Sequence, residues 1–155
     1  MSLIHILLII SSLLFLYGAY VDYKTHHIPP GALLLIPVNA FLFILLNNMD
    51  LFGHTRNAAL LTITLLFISK IVEKYKKTPV LGYGDLILIF SSLLWIHPEH
   101  YPTFLITCGF IGVLLSFLYP KHNVFPLVPA IACAWFLSLL WQENFFSRFD
   151  ACNVV

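Results

Sequence analysis

Two aspartates in this chain adjoin long apolar runs, and their positions raise the question of whether they act together. Asp22 closes the first apolar run, just before "YKTHHIPP", and Asp85 follows "GYG" at the start of another, "LILIFSSLLWI". Ionisable groups within membrane segments are costly and commonly functional. Two carboxylates held together at low dielectric share one proton, so one can take a proton from water while the other polarises a carbonyl. The pair predicts aspartic-protease chemistry, which needs no metal or cofactor and no nucleophilic side chain.

Two glycines flank the residue before the second aspartate. Gly82 and Gly84 stand on either side of Tyr83, and glycine permits both a positive φ and the close approach of another chain to the backbone. Because a peptide substrate in a membrane must be extended before it is cleaved, we expect a partly unwound segment here, beside which a substrate strand can lie. Irregular backbone at membrane depth is tolerated where it lines protein or a water-filled cavity.

The composition is that of an integral membrane protein. Of the 155 residues, 60% are hydrophobic and only 10% are charged, with a mean hydropathy of +0.92, whereas soluble domains carry about 25% charged residues. The length fits one domain, which we expect to cover residues 1–155. The sequence shows no basic patch with interleaved aromatics, so a nucleic-acid partner is not predicted. The three cysteines form no C-x-x-C pair, so neither a zinc site nor a redox motif is predicted.

Six apolar segments approach the roughly 20 residues that a helix needs to cross a bilayer. They are residues 3–21, 31–47, 57–73, 80–96, 103–119 and 124–141. The fourth reaches this length only by including Asp85 and its two glycines, so either Asp85 lies at membrane depth or this segment does not cross. The sequence predicts an all-α membrane protein with about six transmembrane helices.

The basic residues of the loops predict the orientation of these helices, because cytoplasmic loops are enriched in Lys and Arg. With six crossings and the N-terminus outside, six basic residues lie inside and two outside. The inner ones are Lys24, Lys70, Lys74, Lys76, Lys77 and Lys121, and the outer ones are Arg56 and Arg148. The same count results if the fourth segment does not cross, so charge does not decide that point. In this topology Asp22 and Asp85 both lie at the cytoplasmic face, and Lys74, Lys76 and Lys77 are expected near anionic lipid headgroups.

Other interpretations of the same residues stay open at this point. Asp22 alone is compatible with an interfacial position, and Asp85 alone with an N-cap, since Asp is a favoured N-cap residue. A chain of this kind is also compatible with a non-catalytic assembly subunit of a pilus or secretion machine, with a proton-conducting protein that uses two membrane carboxylates, or with a relative that binds substrate helices without cutting them. A transporter would show internal repeats or matched broken helices, and neither is visible.

The sequence resembles the type IV prepilin peptidases, the G-x-G-D aspartic proteases of the bacterial inner membrane. Three elements carry the resemblance, in the family's order and across nearly the whole chain. The first is "DYKTHHIPP", in which Ile28-Pro29 follows Asp22 as in the family's D-x5-I-P element. The second is "GYGD", residues 82–85, and the third is "FPLVPAIACAWFL", residues 125–137, which is similar to the family's late P-F-x-P element.

The resemblance implies a fold, a site and an activity. It implies that Asp22 and Asp85 are the catalytic pair of a multi-pass inner-membrane endopeptidase. The residues it implies for substrate binding or for the shape of the site are Ile28, Pro29, Gly82, Tyr83, Gly84, Pro126 and Pro129. It implies prepilin-like membrane proteins as substrates, cleaved at the cytoplasmic face between a short basic leader and a hydrophobic helix. The chain lacks the large loop with paired C-x-x-C motifs of the bifunctional members, so the resemblance is to the short, peptidase-only form.

The chain departs from the family pattern at three positions. Pro30 follows Ile28-Pro29 where Asn or Asp is common, and Ile87 stands two residues after Asp85 where Lys is common. Leu127 replaces the usual Phe of the late element. These departures concern the tuning of the active site and the choice of substrate, and they keep the interpretation as a non-cutting relative open.

Overall fold

The computed structural model describes residues 3–77, 81–118 and 127–141, and this part of the chain is all-helical. The helices are α1 Leu3–Thr25, α2 Pro30–Leu46, α3 Leu51–Lys76, α4 Tyr83–Trp95, α5 Tyr101–Leu118 and α6 Val128–Trp141, with one 3₁₀ turn at Pro98–His100. The predicted all-α class and the six predicted helices are confirmed for the described residues. The fourth helix is shorter than predicted, because it begins at Tyr83 and not near residue 80.

The six helices differ in whether they are long enough to cross a bilayer. By length and composition α1, most of α3 (Leu51–Tyr75) and the segment Pro98–Leu118 are apolar and long enough to do so. Helices α2, α4 and α6 contain 17, 13 and 14 residues. At 1.5 Å per residue, α4 is roughly 20 Å long, against a hydrocarbon core of about 30 Å. The protein is therefore a membrane protein with three long candidate spans and three shorter apolar helices, and the six crossings stay a prediction.

Proline, aspartate and glycine mark where several helices begin. Pro29 is extended and Pro30 is the first residue of α2. Proline is favoured at this position because an N–H there would have no partner within the helix. Asp50 caps α3 by accepting the backbone N–H of Gly53 at 3.0 Å. Gly82 is the N-cap of α4. These local signals determine where the connections lie, and therefore which residues stand at the ends of the bundle.

Helices α1, α2, α4 and α6 form a ring, in which α1 and α4 each pack against both α2 and α6. Helix α3 packs on the outside of the ring, chiefly against α4, and α5 packs against α6. Helices α1 and α4 are therefore diagonal partners. The end of the ring at which α1 ends and α4 begins is called the Asp22 end below.

Each helix of the ring contributes one large aromatic residue to its centre. Phe43 stacks on Trp95 with ring centroids 4.3 Å apart, Trp95 meets the edge of Trp135 at 5.8 Å, and Trp135 lies 4.7 Å from Phe15. All four are almost completely buried. This aromatic cluster begins roughly 10 Å below Asp22, since Phe15 precedes it by two helical turns, and it extends to Trp95 at the far end of α4. The outward faces of the helices are rich in exposed apolar side chains, as expected in contact with lipid.

Candidate active site

Asp22 is buried although it lies near the end of α1. Its residue is only 6% exposed, and its Oδ2 accepts the backbone N–H of Val128, the first residue of α6, at 3.2 Å. The first N–H groups of a helix have no partner within the helix, and a carboxylate there is stabilised by the positive end of the helix dipole. The Asp22 carboxylate therefore joins the end of α1 to the start of α6, across 106 positions of sequence.

Asp85 lies in the first turn of α4 and bonds back to the start of its own helix. Its Oδ2 accepts the backbone N–H of Gly82 at 3.1 Å. The N-cap is Gly82 and Asp85 is the third residue of the helix, so the interpretation of Asp85 as the N-cap itself is wrong. Both carboxylates thus accept a backbone N–H at a helix start, and this fixes their positions.

The two glycines act through close approach and not through a positive φ. A Cβ on Gly84 would lie 2.8 Å from Cδ1 of Ile28, and a Cβ on Gly82 would lie 3.1 Å from Oδ2 of Asp85. No described glycine has a positive φ. Gly82 is extended at the N-cap of α4 and Gly84 lies within the helix, so the backbone beside Asp85 is non-helical only up to Gly82. The side chain that approaches Gly84 is the protein's own Ile28, and the approach of a substrate strand stays a prediction.

The segment from Asp22 to Ile28 consists of the last turn of α1 and the bend that follows it. The backbone N–H of His26 donates to the carbonyl oxygen of Asp22 at 2.9 Å, and His26 has a φ of 53°. Thr25 Oγ1 donates to the carbonyl oxygen of Val21 at 2.9 Å. Pro29 follows, and a residue before proline is restricted to extended conformations. This turn places Ile28 on the first turn of α4, so the D-x5-I-P and G-x-G-D elements are in contact.

The charge of Asp22 reaches Asp85, at the same end of the ring. Asp85 interacts with the charge of Asp22, and Asp22 with the imidazoles of His26 and His27. Two carboxylates brought close together at low dielectric cannot both ionise easily. This arrangement is chemically able to deprotonate a water molecule and to donate a hydrogen bond to a carbonyl oxygen.

The other predicted residues lie around this pair or outside the described part. Tyr83 is 71% exposed, and its ring faces the ammonium of Lys70 on α3, with Nζ 5.7 Å from the ring centroid. Pro129 is partly buried in the first turn of α6, next to the Val128 N–H that Asp22 accepts. Pro126 lies outside the described residues.

Sequence reasoning did not identify two groups that contact residues of the candidate site. The first is the backbone N–H of Val128, although the element "PLVP" that contains it was singled out. The second is Lys70, which was interpreted only as a determinant of orientation. Among the described residues, no group of three or more His, Cys, Asp and Glu side chains is arranged to hold a metal ion.

A model of the type IV leader peptidase family matches residues 8–117 of the chain, which is more than half of its 155 residues. The chain belongs to the type IV leader peptidase family. The matched range contains both aspartates and the whole of the D-x5-I-P and G-x-G-D elements, and it confirms the resemblance stated above. The late element around Val128 and Pro129 lies beyond the matched range. No curated protein and no solved structure matches the chain.

Proposed function

We propose that this protein is an intramembrane aspartic endopeptidase that removes the leader peptides of type IV prepilin-like proteins. In this proposal Asp22 and Asp85 form the catalytic pair and water is the nucleophile. The reaction takes place at the cytoplasmic face of a bacterial inner membrane, where the inner lysines predicted from the sequence lie. Membership of the type IV leader peptidase family supports the peptidase class, and the arrangement of the carboxylates supports the aspartic type.

The observation that carries the proposal is the meeting of the two aspartate elements. Ile28, six residues after Asp22, touches Gly84, the residue before Asp85, and the charge of Asp22 acts on Asp85. The helix-start hydrogen bonds of Asp22 and Asp85 explain each aspartate separately. They give no physical reason for the two to lie within electrostatic reach of each other, because like charges at low dielectric repel. A pair that shares a proton has such a reason, since only one member is charged at a time.

The chemistry follows from the sharing of that proton. The ionised carboxylate removes a proton from water as it attacks the scissile carbonyl, and the protonated carboxyl donates a hydrogen bond to the carbonyl oxygen. As the carbon–nitrogen bond breaks, the proton taken from water passes to the leaving amine. The pair then again consists of one ionised and one protonated carboxyl group. Because the two groups titrate as a unit, the roles of base and acid belong to the pair. The backbone N–H groups of Val128 and Gly82 hold the two carboxylates in position.

The centre of the ring argues against proton conduction as the function. A proton pathway needs a chain of water or polar groups across the protein. The aromatic cluster of Phe15, Phe43, Trp95 and Trp135 fills the ring below Asp22 with closely packed rings. The position of the two carboxylates therefore fits a site at one end of the bundle better than a proton pathway through it.

Cleavage of a prepilin from the same host, co-expressed with this chain, tests the proposal. The readouts are the mobility shift of the prepilin and N-terminal sequencing of the product. The variants are Asp22→Asn and Asp85→Asn, and the matched control is Glu99→Gln, which removes an exposed carboxylate in the connection between α4 and α5. We expect the wild type and the control to cut ahead of the hydrophobic helix, and each dyad variant to accumulate in the membrane but to lose at least about 1000-fold in rate.

Two outcomes would contradict the proposal. Normal cutting by either dyad variant would make that aspartate structural. Failure of the wild type to cut any prepilin of its own host, while it still retains them in a pull-down, would favour the assembly subunit or the relative that binds without cutting.

A further inference from the structure

A groove between α3 and α4 faces the lipid side of the bundle, on the far side of α4 from the ring. Its volume is about 290 Å³, and its lining is apolar apart from Thr62 and the Tyr83 hydroxyl. Ile63 and Leu66 form the α3 wall, and Ile87 and Phe90 belong to the α4 wall. The groove begins at Tyr83, two residues before Asp85, and runs to Phe90.

A lysine stands at the Tyr83 end of this groove. Lys70 follows Leu66 by four residues and Ile63 by seven, so it continues the same face of α3. Its Nζ lies 5.7 Å from the centroid of the Tyr83 ring and 2.7 Å from Oε2 of Glu73. The lysine side chain is 52% exposed, and an exposed pair of this kind contributes little free energy. Lys70 is therefore accessible to a stronger anion, and Lys74 is exposed one turn further along α3.

The dimensions of the groove favour a single extended chain as its occupant. The distance along α4 from Tyr83 to Phe90 is roughly 10 Å at 1.5 Å per residue. A volume of about 290 Å³ over this length corresponds to a mean cross-section of roughly 30 Å², whereas a helix about 10–12 Å in diameter has a cross-section of roughly 80–110 Å². An occupant that is apolar along its length and anionic at the end beside Lys70 matches both the lining and the charge.

We propose that this groove binds one acyl chain of an anionic phospholipid whose phosphate pairs with Lys70. The bilayer provides such a molecule, because the cytoplasmic leaflet carries anionic headgroups and attracts basic residues near its surface. The predicted orientation places the Lys70 end of α3 at that leaflet. This inference does not rest on the proposed peptidase activity, since it concerns lipid binding alone.

A lipid in this groove would lie between α3 and the first turn of α4, beside the contact of Lys70 with Tyr83. Helix α3 lies outside the ring and packs chiefly against α4, so a lipid between the two helices adds to their contact. Tyr83 lines the groove and belongs to the same first turn of α4 as Asp85. Occupation of the groove therefore steadies the turn that carries Asp85.

Native mass spectrometry of the full chain released from nanodiscs tests the inference without reference to cleavage. The nanodiscs contain equal amounts of phosphatidylglycerol and phosphatidylcholine with identical acyl chains. We expect the wild type to retain one phosphatidylglycerol molecule in preference to phosphatidylcholine. Lys70→Gln should reduce this retention about fivefold, the equivalent of about 1 kcal/mol per basic residue at an anionic surface. Ile63→Trp, which fills the groove, should remove it.

Two matched variants control for general effects of charge and bulk. Lys24→Gln removes another lysine whose ammonium lies over a tyrosine ring, at 4.6 Å from the centroid of Tyr20, and Ile106→Trp adds the same bulk to an exposed position on α5. Both should retain the lipid as the wild type does. Equal retention of the two lipids by the wild type, unchanged retention in Lys70→Gln or Ile63→Trp, or equal loss in the control variants would overturn the proposal. So would loss of prepilin binding in Ile63→Trp with the lipid still retained, because the groove would then belong to the substrate.

Discussion

At the scale of single residues, the candidate site depends on a glycine that the protein itself covers. Gly84 lies beneath the side chain of Ile28, so the absence of a Cβ lets the D-x5-I-P turn rest on the start of α4. This contact sets the distance between the turn that follows Asp22 and the turn that carries Asp85. A change of one methyl group at this point therefore moves one carboxylate relative to the other.

Gly84→Ala should reduce cleavage by roughly 10- to 100-fold, because a displacement of about 1 Å in a catalytic group has effects of that size. The new Cβ would lie 2.8 Å from Cδ1 of Ile28, and the overpacking should destabilise the protein by about 1–3 kcal/mol. The measurement is the rate of prepilin cleavage at equal membrane levels of enzyme. Partial recovery in the double variant Gly84→Ala with Ile28→Ala would attribute the loss to this contact.

Gly31→Ala is the control for this prediction. Gly31 lies in the first turn of α2, near the same end of the bundle, and a Cβ there meets no atom within 4 Å. It should cut as the wild type does. Equal loss of activity in both variants would mean that the contact between Gly84 and Ile28 does not position the site.

At the scale of helices, Asp22 has a structural role that is separable from its proposed chemistry. Its carboxylate accepts the Val128 N–H at the start of α6, and Pro129, the next residue, has no N–H of its own. Asparagine at position 22 keeps an oxygen that accepts this hydrogen bond, whereas alanine leaves the Val128 N–H without it. The two substitutions therefore distinguish the anchoring of α6 from catalysis.

Asp22→Ala should lower the free energy of unfolding by about 1–3 kcal/mol relative to Asp22→Asn, the cost of an unsatisfied buried donor. Both variants should be inactive. The measurement is the unfolding of purified protein in detergent, followed by circular dichroism, with Glu99→Ala as an exposed reference. Equal stability of the alanine and asparagine variants would mean that the Val128 hydrogen bond does not hold α6.

At the scale of the whole molecule, the ring of α1, α2, α4 and α6 positions the candidate site, and the packing of the aromatic cluster stabilises the ring. Each helix of the ring contributes one member of the cluster, so the loss of one member weakens contacts with at least one other helix. Trp135 is central, because it contacts both Phe15 and Trp95. The positions of α1 and α4 relative to each other, and hence of the two carboxylates, follow from this packing.

Trp135→Ala should destabilise the protein by about 3–5 kcal/mol, the usual cost of removing a buried large aromatic side chain. Trp141→Ala is the matched control, since Trp141 lies on the same helix and is 68% exposed. It should change stability by less than about 0.5 kcal/mol. Unfolding in detergent measures both variants, and similar values for the two would show that the aromatic cluster does not stabilise the ring.

The predicted orientation is testable by labelling from each side of the membrane. In a background with the native cysteines replaced by serine, Lys77→Cys at the end of α3 and Glu99→Cys in the turn before α5 should react from opposite faces. The lysine enrichment places position 77 inside, so a membrane-impermeant maleimide should label position 99 in intact cells and position 77 only in inverted vesicles. Labelling of position 77 in intact cells would show that the orientation is the opposite of the predicted one.

The sequence by itself determined the membrane class and the six helices, and it singled out the candidate site residues. These properties are local, because hydrophobic runs, helix starts and the elements "DYKTHHIPP" and "GYGD" are each contained in short stretches of chain. The family resemblance rests on the same stretches, and the match over residues 8–117 confirms it. Gly82 and Gly84 were recognised from the same short stretch, whereas the approach of Ile28 to Gly84 was not.

Only the tertiary structure decided which groups meet. The acceptance of the Val128 N–H by Asp22 joins residues 106 positions apart, and the contact of Ile28 with Gly84 depends on how α2 and α4 pack in the ring. Periodicity and composition carry no information on such pairings, because they result from the fit of side chains between helices. The groove beside Lys70 has the same origin: its two walls come from different helices, so neither stretch of sequence alone contains it.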